Sequence, residues 1–112
     1  MSKNKVIQKE LIKDKIELEK KAENYINIIV KFLSAWPSAI GNDKTINLSV
    51  EKGTSIRELL DFFNEKYGDI FSQVRKKIII LLNSQHVTAL DGLDTRVREK
   101  DKVVMFLPFE GG

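Results

Sequence analysis

The sequence predicts an α+β domain in which a mixed β-sheet packs on one main helix. Segments of alternating apolar and polar residues, typical of half-buried strands, stand on both sides of a single helical stripe. After an N-terminal extension, these segments follow the order β-β-α-β, a short edge strand, and a final β. With 112 residues, the chain is long enough to bury a core without disulfides or metals, and one domain is expected.

An amphipathic helix is predicted for the N-terminal extension, residues 1–23. Its apolar side chains recur at helical spacing between lysines and glutamates: Val6, Ile7, Leu11, Ile12, Ile16 and Leu18. Such a helix has to bury its apolar stripe, and three alternatives stay open. It packs on the domain, associates with a copy of itself, or docks on a partner.

Two strands are predicted next from period-two alternation. The apolar face of the first strand, residues 25–33, holds Ile26, Ile28, Val30 and Phe32. The apolar face of the second holds Ile46, Leu48 and Val50. A connection of turn or short helical character joins them over residues 34–43, so the two strands are expected to pair antiparallel.

The main helix is predicted to begin after Ser55. The run Ser55-Ile56-Arg57-Glu58 fits a capping box, in which the serine and glutamate side chains satisfy each other's backbone amides. One stripe of the helix is apolar: Ile56, Leu59, Leu60, Phe63 and Tyr67. Gly68 then supplies the positive φ that commonly ends a helix.

The remaining strands complete the sheet. Residues 78–82 are almost wholly apolar, which predicts a central, buried strand. A turn at 83–85, a short edge strand at 86–88 and turns near 91–92 and 99–101 lead to the final strand, residues 103–107. The first and last strands are expected to pair in parallel at the centre. Residues 24–107 are therefore predicted to form a β-grasp, or ubiquitin-like, domain.

A flexible C-terminal tail is predicted for residues 108–112. Pro108 cannot donate to a β-ladder, so strand pairing should stop there. The five residues can project about 17 Å at ~3.4 Å per extended residue. Gly111 and Gly112 have no side chains, so this end can thread a narrow tunnel and present an α-carboxylate.

Composition excludes several classes of function. The chain contains no cysteine, and His86 is its one histidine, so neither a thiol nucleophile nor a metal site is expected. No apolar run approaches the ~20 residues of a membrane span, and the mixed charges of the N-terminus do not fit a signal peptide. The cluster Arg75-Lys76-Lys77 lacks interleaved aromatics and is interpreted as the solvated approach to a strand. We therefore expect a cytoplasmic protein without nucleic-acid or membrane partners.

A carrier suits these features better than a catalyst. The terminal carboxylate is unreactive until ATP converts it to an acyl-adenylate, which supplies a good leaving group. A sulfur nucleophile delivered by another protein then yields a thiocarboxylate at Gly112. This chemistry needs a rigid body, a slim arm and no competing thiol.

The C-terminal part of the chain resembles the signature of the MoaD family. The resemblance rests on Leu93-Asp94-Thr95 and on Glu99-Lys100-Asp101-Lys102-Val103-Val104-Met105-Phe106-Leu107-Pro108-Phe109-Glu110-Gly111-Gly112. Upstream, residues 30–35, Gly41, residues 53–60 and Asn83 are similar to the family pattern in the same order. The match covers residues 26–112 and leaves the N-terminal extension unexplained.

This resemblance implies a non-catalytic sulfur carrier, the small subunit of molybdopterin synthase. A MoeB-like enzyme would adenylate the chain with ATP, and a MoaE-like large subunit would receive the tail during synthesis of molybdenum or tungsten cofactor; the chain itself would bind no cofactor. By the same resemblance, Gly112 bears the thiocarboxylate and Gly111 allows passage. The partner-binding residues would be Phe106, Pro108, Phe109 and Glu110.

Two departures and three alternatives accompany the resemblance. The family usually has glycine where this chain has Lys100, and paired prolines where this chain has Leu107-Pro108. The alternatives are a ubiquitin-like protein modifier or tRNA-thiolation carrier, a ThiS-like thiazole carrier, and a β-grasp binding module that makes no use of its tail.

Overall fold

The computed structural model describes residues 6–8 and 24–109. Within them the strands are β1 (Val6–Gln8), β2 (Tyr25–Ser34), β3 (Lys44–Glu51), β4 (Ile79–Leu82), β5 (Gln85–His86) and β6 (Lys102–Leu107). The helices are α1 (Ile56–Tyr67) and the single turn α2 (Asp69–Ser72). Short 3-10 turns cover Arg75–Lys77, Val87–Ala89 and Gly92–Asp94.

The described strands form one mixed sheet in the order β1-β3-β2-β6-β4-β5. β2 pairs antiparallel with β3 and parallel with β6, and Val30 lies opposite Val103 at the centre of the parallel pair. Both valines are fully buried. The predicted parallel pairing of the first and last strands of the domain is confirmed, and with it the β-grasp arrangement.

α1 covers one face of this sheet and closes the core. Its N-terminus has the predicted capping box: the Ser55 hydroxyl accepts from the Glu58 amide at 3.2 Å, and the Glu58 carboxylate accepts from the Ser55 amide at 2.9 Å. Gly68 ends the helix at φ 70° and donates its amide to the Asn64 carbonyl. The apolar residues predicted for β2, β3 and α1 are buried here, except that Tyr67 is half-buried.

β4 differs from its prediction as a central, wholly buried strand. It lies near the edge of the sheet, with only the two-residue strand β5 outside it. Ile80 and Leu82 are buried, whereas Ile79 and Leu81 are half-buried. The prediction was wrong because an apolar run does not say whether both faces of a strand are covered.

The edge strand is also shifted from its predicted position at 86–88. β5 pairs Gln85 with Leu82 across a two-residue turn, Asn83-Ser84, in which both residues have positive φ. That geometry is typical of a type I′ hairpin. Val87 is buried at the start of a 3-10 turn instead of continuing the strand.

The N-terminal extension contains a strand where a helix was predicted. Val6–Gln8 pair antiparallel with β3, with Val6 opposite Val50, so the helix prediction is wrong for these three residues. β1 supplies hydrogen-bond partners to the backbone amides and carbonyls along the edge of β3. If residues 6–8 were helical, that edge of β3 would have no such partners from them. The rest of the predicted helix lies outside the described residues.

Candidate functional site

The candidate site lies where β6 ends, because the tail leaves the domain there. Val103, Met105 and Leu107 point into the core and are buried, which fixes the strand up to its last residue. Pro108 follows, half-buried, and has no amide proton to extend the ladder. The end of strand pairing at Leu107 is therefore where the sequence predicted it.

The connection after β2 holds this exit from one side. The Ala35 amide donates to the Leu107 carbonyl at 3.1 Å, one step beyond the last β2–β6 pair, Ser34 with Leu107. The indole Nε1 of Trp36 donates to the Met105 carbonyl at 2.9 Å. Two hydrogen bonds from adjacent residues thus secure the last three residues of β6.

The predicted tail residues are located as follows. Phe109 is 79% exposed, an extreme value for a large aromatic side chain, and it lies outside the core cluster. Glu110, Gly111 and Gly112 lie outside the described residues. An aromatic side chain held out at the base of the tail is a candidate contact for a partner.

Phe106 belongs to an apolar patch on the sheet face opposite α1, here called the distal face. It alternates with buried Met105 and Leu107, so its side chain is on this other face. Leu33 of β2 and Ile79 of β4 flank it in register. All three are half-buried, and they form a row across three strands beside Pro108.

A second row on the distal face lies one step further from the tail. Val104 of β6 is in register with Leu81 of β4 and with Lys31 of β2. Ile29, the next distal-face residue of β2, is 37% exposed. β2, β4 and β6 contain no aspartate or glutamate, so the charge on this part of the distal face comes from Lys31 and Lys102.

The partner-binding residues predicted from the sequence include Phe106 of this patch and the neighbouring Pro108 and Phe109, but not Leu33, Ile79 or Leu81. Leu33 lies on the face of β2 opposite the predicted apolar face, and the prediction of a central strand places Ile79 and Leu81 in the core. A signal was present in the sequence: β2 has apolar residues at 29 and 33, on the same face as Asn27 and Lys31. Strand alternation marks such residues as candidate surface contacts once the core face is known.

Metal-ligating clusters and membrane-spanning helices were both sought among the described residues. Within residues 6–8 and 24–109 there is no group of three or more metal-ligating side chains. The nitrogen Nδ1 of His86 lies 2.9 Å from the Thr88 hydroxyl, and the His86 side chain caps a 3-10 turn. None of the helices in this part of the chain has the length and apolar character that crossing a bilayer requires.

Solved structures share this fold at low sequence identity. HVO 2177 from Haloferax volcanii aligns at a TM-score of 0.65 and 20% identity, over 80% of this chain and 89% of that one. Small archaeal modifier protein 1 from Methanosarcina acetivorans aligns at 0.60 and 24%, over 79% and 98%. A chain from the complex of subunits 1 and 2 of the molybdopterin-converting factor from Helicobacter pylori aligns at 0.51 and 18%, over 78% of this chain and 100% of that one.

Sequence comparison assigns the chain more directly. Among curated proteins, none matches it significantly. The model of the ThiS family matches residues 37–112, a span that includes α1, β6 and the tail and makes up more than half of the chain. The protein therefore belongs to the ThiS family, within the superfamily of ubiquitin-like sulfur carriers that the MoaD resemblance indicated.

Proposed function

We propose that this protein is a sulfur carrier that acts as the small subunit of a molybdopterin synthase, with Gly112 as the carrying residue. The observation that carries the proposal is the exit at Leu107, where a buried strand ends at Pro108 and Phe109 is held outside the core. Membership of the ThiS family supports the same chemistry. In this proposal the chain supplies the C-terminal carboxyl group that is modified, and other proteins supply the catalysis.

The proposed reaction has two steps at the terminal carboxyl group. In the first, a carboxylate oxygen attacks the α-phosphorus of ATP, and pyrophosphate leaves. In the second, a hydrosulfide-type nucleophile attacks the acyl carbon, the bond to AMP breaks, and a thiocarboxylate and a proton result. No electrons are exchanged, and ATP is the substrate of the activating enzyme and not a cofactor of this chain.

The docking surface proposed for the activating enzyme is the row Leu33, Phe106 and Ile79 together with Phe109. Leu33 and Ile79 flank Phe106 in register, and Phe106 is two residues before Pro108, where the tail begins, so one apolar contact would both hold the domain and direct the tail. Because apolar side chains gain roughly 25 cal/mol per Å² buried, such a surface supplies affinity without chemistry of its own. A MoeB-like adenylating enzyme is the partner we propose for this surface.

The proposed acceptor of the sulfur is a MoaE-like large subunit. The Helicobacter pylori neighbour is a chain from the complex of subunits 1 and 2 of the molybdopterin-converting factor, and this chain shares the fold of that one chain. A tail without side chains at Gly111 and Gly112 fits a narrow entrance of such a partner. Glu110 is the further tail residue that we propose to contact it.

The experiment is a loading assay on the full chain. The protein is incubated with a MoeB-like enzyme, ATP and a sulfide source, and its intact mass is measured. The expected gain is the mass difference between one sulfur and one oxygen atom, and it should be absent when ATP is omitted. A double variant, Gly111→Ala with Gly112→Ala, should not load, and normal loading and delivery by this variant would refute the proposal.

A protein modifier is the second candidate, because a small archaeal modifier protein is among the structural neighbours. In that function the activated Gly112 would form an isopeptide bond with a lysine amine, and no sulfur would be donated. Co-purification with a MoaE-like subunit and production of molybdopterin from its precursor favour the synthase subunit. Lysine-linked conjugates of the chain in cells would favour the modifier.

A further inference from the structure

We infer that Trp36 is a positioning residue for the tail. Its indole and the neighbouring Ala35 amide fasten the last residues of β6, and so fix the point and direction from which the tail leaves. The inference rests on the proposed function of the tail. It concerns a residue on the side of the sheet that α1 covers, away from the proposed docking surface.

The local backbone brings Trp36 under the end of β6. Ser34, the last residue of β2, has a φ of 78°, a left-handed conformation that a non-glycine residue rarely adopts. The Trp36 amide then donates back to the Ser34 carbonyl at 2.8 Å. This tight reversal turns the chain into the core within two residues of leaving the strand.

The packing around Trp36 makes it a firm anchor. It is 2% exposed, and its ring meets Phe32 edge-on at 4.9 Å between centroids and stacks on Phe71 at 5.7 Å with an 18° tilt. Phe32 and Phe71 are both fully buried. A hydrogen bond from such a side chain ties the Met105 carbonyl to the helical layer beneath the sheet.

The bonds from Ala35 and Trp36 lie where β6 has fewest other supports. The β4–β6 pairing ends with Ile79 opposite Phe106, and Pro108 donates no bond. Leu107 is therefore held at its carbonyl by Ala35 and by the burial of its own side chain. If this end frayed, the base of the tail would sample many directions, and threading it into an enzyme would cost more conformational entropy.

The test compares Trp36→Phe with Phe71→Leu in the full chain. Both variants disturb the same aromatic cluster, but only Trp36→Phe removes a hydrogen bond to β6. Under native conditions, amide exchange at Ala35 should accelerate about tenfold more in Trp36→Phe than in Phe71→Leu. The Ile29 amide, which bonds to Asp101 at the other end of the same strand pair, should exchange alike in both.

Loading kinetics give the functional readout. In the assay with the MoeB-like enzyme, Trp36→Phe should load about 3- to 10-fold more slowly at saturating protein, with little change in KM. Phe71→Leu should load like the wild type at a temperature where both variants are folded. A loss of kcat without a loss of affinity separates positioning of the tail from damage to the docking surface.

Each remaining outcome also decides the inference. Trp36 is the one tryptophan of the chain, so its indole proton gives a single NMR signal in the unaltered protein. Rapid exchange of that proton would overturn the inference even if a variant failed to fold, and equal exchange at Ala35 in the two folded variants would overturn it as well. If wild-type protein did not load with sulfur at all, the proposed function would fail, while the exchange data would still decide whether Trp36 anchors β6.

Discussion

Lys100 adopts a left-handed backbone with φ of 69°, while its amide donates to the Asn27 carbonyl at 2.6 Å. The bond ties the turn before β6 to the first part of β2, next to the bond from the Asn27 amide to the Glu99 carboxylate at 2.9 Å. The MoaD pattern has glycine at this position. The structure gives the reason: the turn requires a positive φ, which glycine adopts without the steric cost that a β-carbon brings.

Replacing this lysine by glycine should therefore stabilise the protein. Lys100→Gly removes a left-handed penalty of about 1 kcal/mol, offset in part by the greater freedom of glycine in the unfolded chain. We expect a net gain of roughly 0.5 kcal/mol in the free energy of unfolding, measured by urea denaturation. The matched control is Lys102→Gly in β6, also exposed, which should lose roughly 0.5–1 kcal/mol.

Asn83 is expected to matter more than an exposed turn residue usually does. Its side chain accepts from the Lys102 amide at 2.9 Å and donates to the Asp101 carboxylate at 2.8 Å, joining the β4–β5 turn to the start of β6. Asn83→Ala removes both bonds. It also places alanine at a φ of 51°, a left-handed conformation that asparagine tolerates better because its amide group can form local hydrogen bonds. The free energy of unfolding should fall by about 1–3 kcal/mol.

Asn83→Gly separates the two causes of that loss. Glycine tolerates the positive φ but lacks the amide group, so this variant should recover part of the stability lost in Asn83→Ala. Equal stability of the two variants would show that the backbone conformation contributes nothing. Wild-type stability of Asn83→Gly would contradict a role for the side-chain bonds.

The capping box at Ser55 predicts a measurable loss in Ser55→Ala. The variant leaves the Glu58 amide without its side-chain acceptor at the start of α1, which should cost about 1 kcal/mol. Thermal and urea unfolding both measure it. Ser72→Ala is the control, because the exposed Ser72 hydroxyl donates to the Asp69 carbonyl within α2 and its removal should change stability by less than about 0.5 kcal/mol.

Truncation of Leu107 should lower the stability of the protein, whereas truncation of Phe109 should affect loading and not stability. Leu107→Ala empties a buried position and should cost about 2–4 kcal/mol of stability. Phe109→Ala removes an exposed ring, so the unfolding free energy should change by less than about 0.5 kcal/mol. Its loading by the activating enzyme should nevertheless weaken through a higher KM, and unchanged loading would remove Phe109 from the docking surface.

Elements that depend only on interactions between residues close in the sequence could be predicted from the sequence. Ser55 and Glu58 stand three residues apart and meet within one helical turn, so their capping box needs no information from elsewhere in the chain. The buried face of β2 follows from a period of two, and Pro108 ends β6 because proline lacks the donor. For Gly112 the sequence supplied the chemical expectation, and that expectation remains a prediction.

Other features depended on contacts between distant parts of the chain. The run at 78–82 is equally apolar whether two layers cover it or one, and only the tertiary structure shows that Ile79 and Leu81 lie on the sheet face opposite α1, where they are half-buried. Val6–Gln8 belong to a segment whose apolar residues have helical spacing, yet these three residues pair with β3 as a strand. In each of these cases tertiary pairing outweighed local preference.

By itself the sequence determined which side chains share a face, where the main helix begins and where the final strand must stop. Only the tertiary structure decided that Trp36 lies beneath Met105, and that Leu33, Phe106 and Ile79 form one row beside the tail. The physical reason is that periodicity and capping act over a few residues. A surface row or a hydrogen bond across 69 positions exists only after non-adjacent strands have found their register.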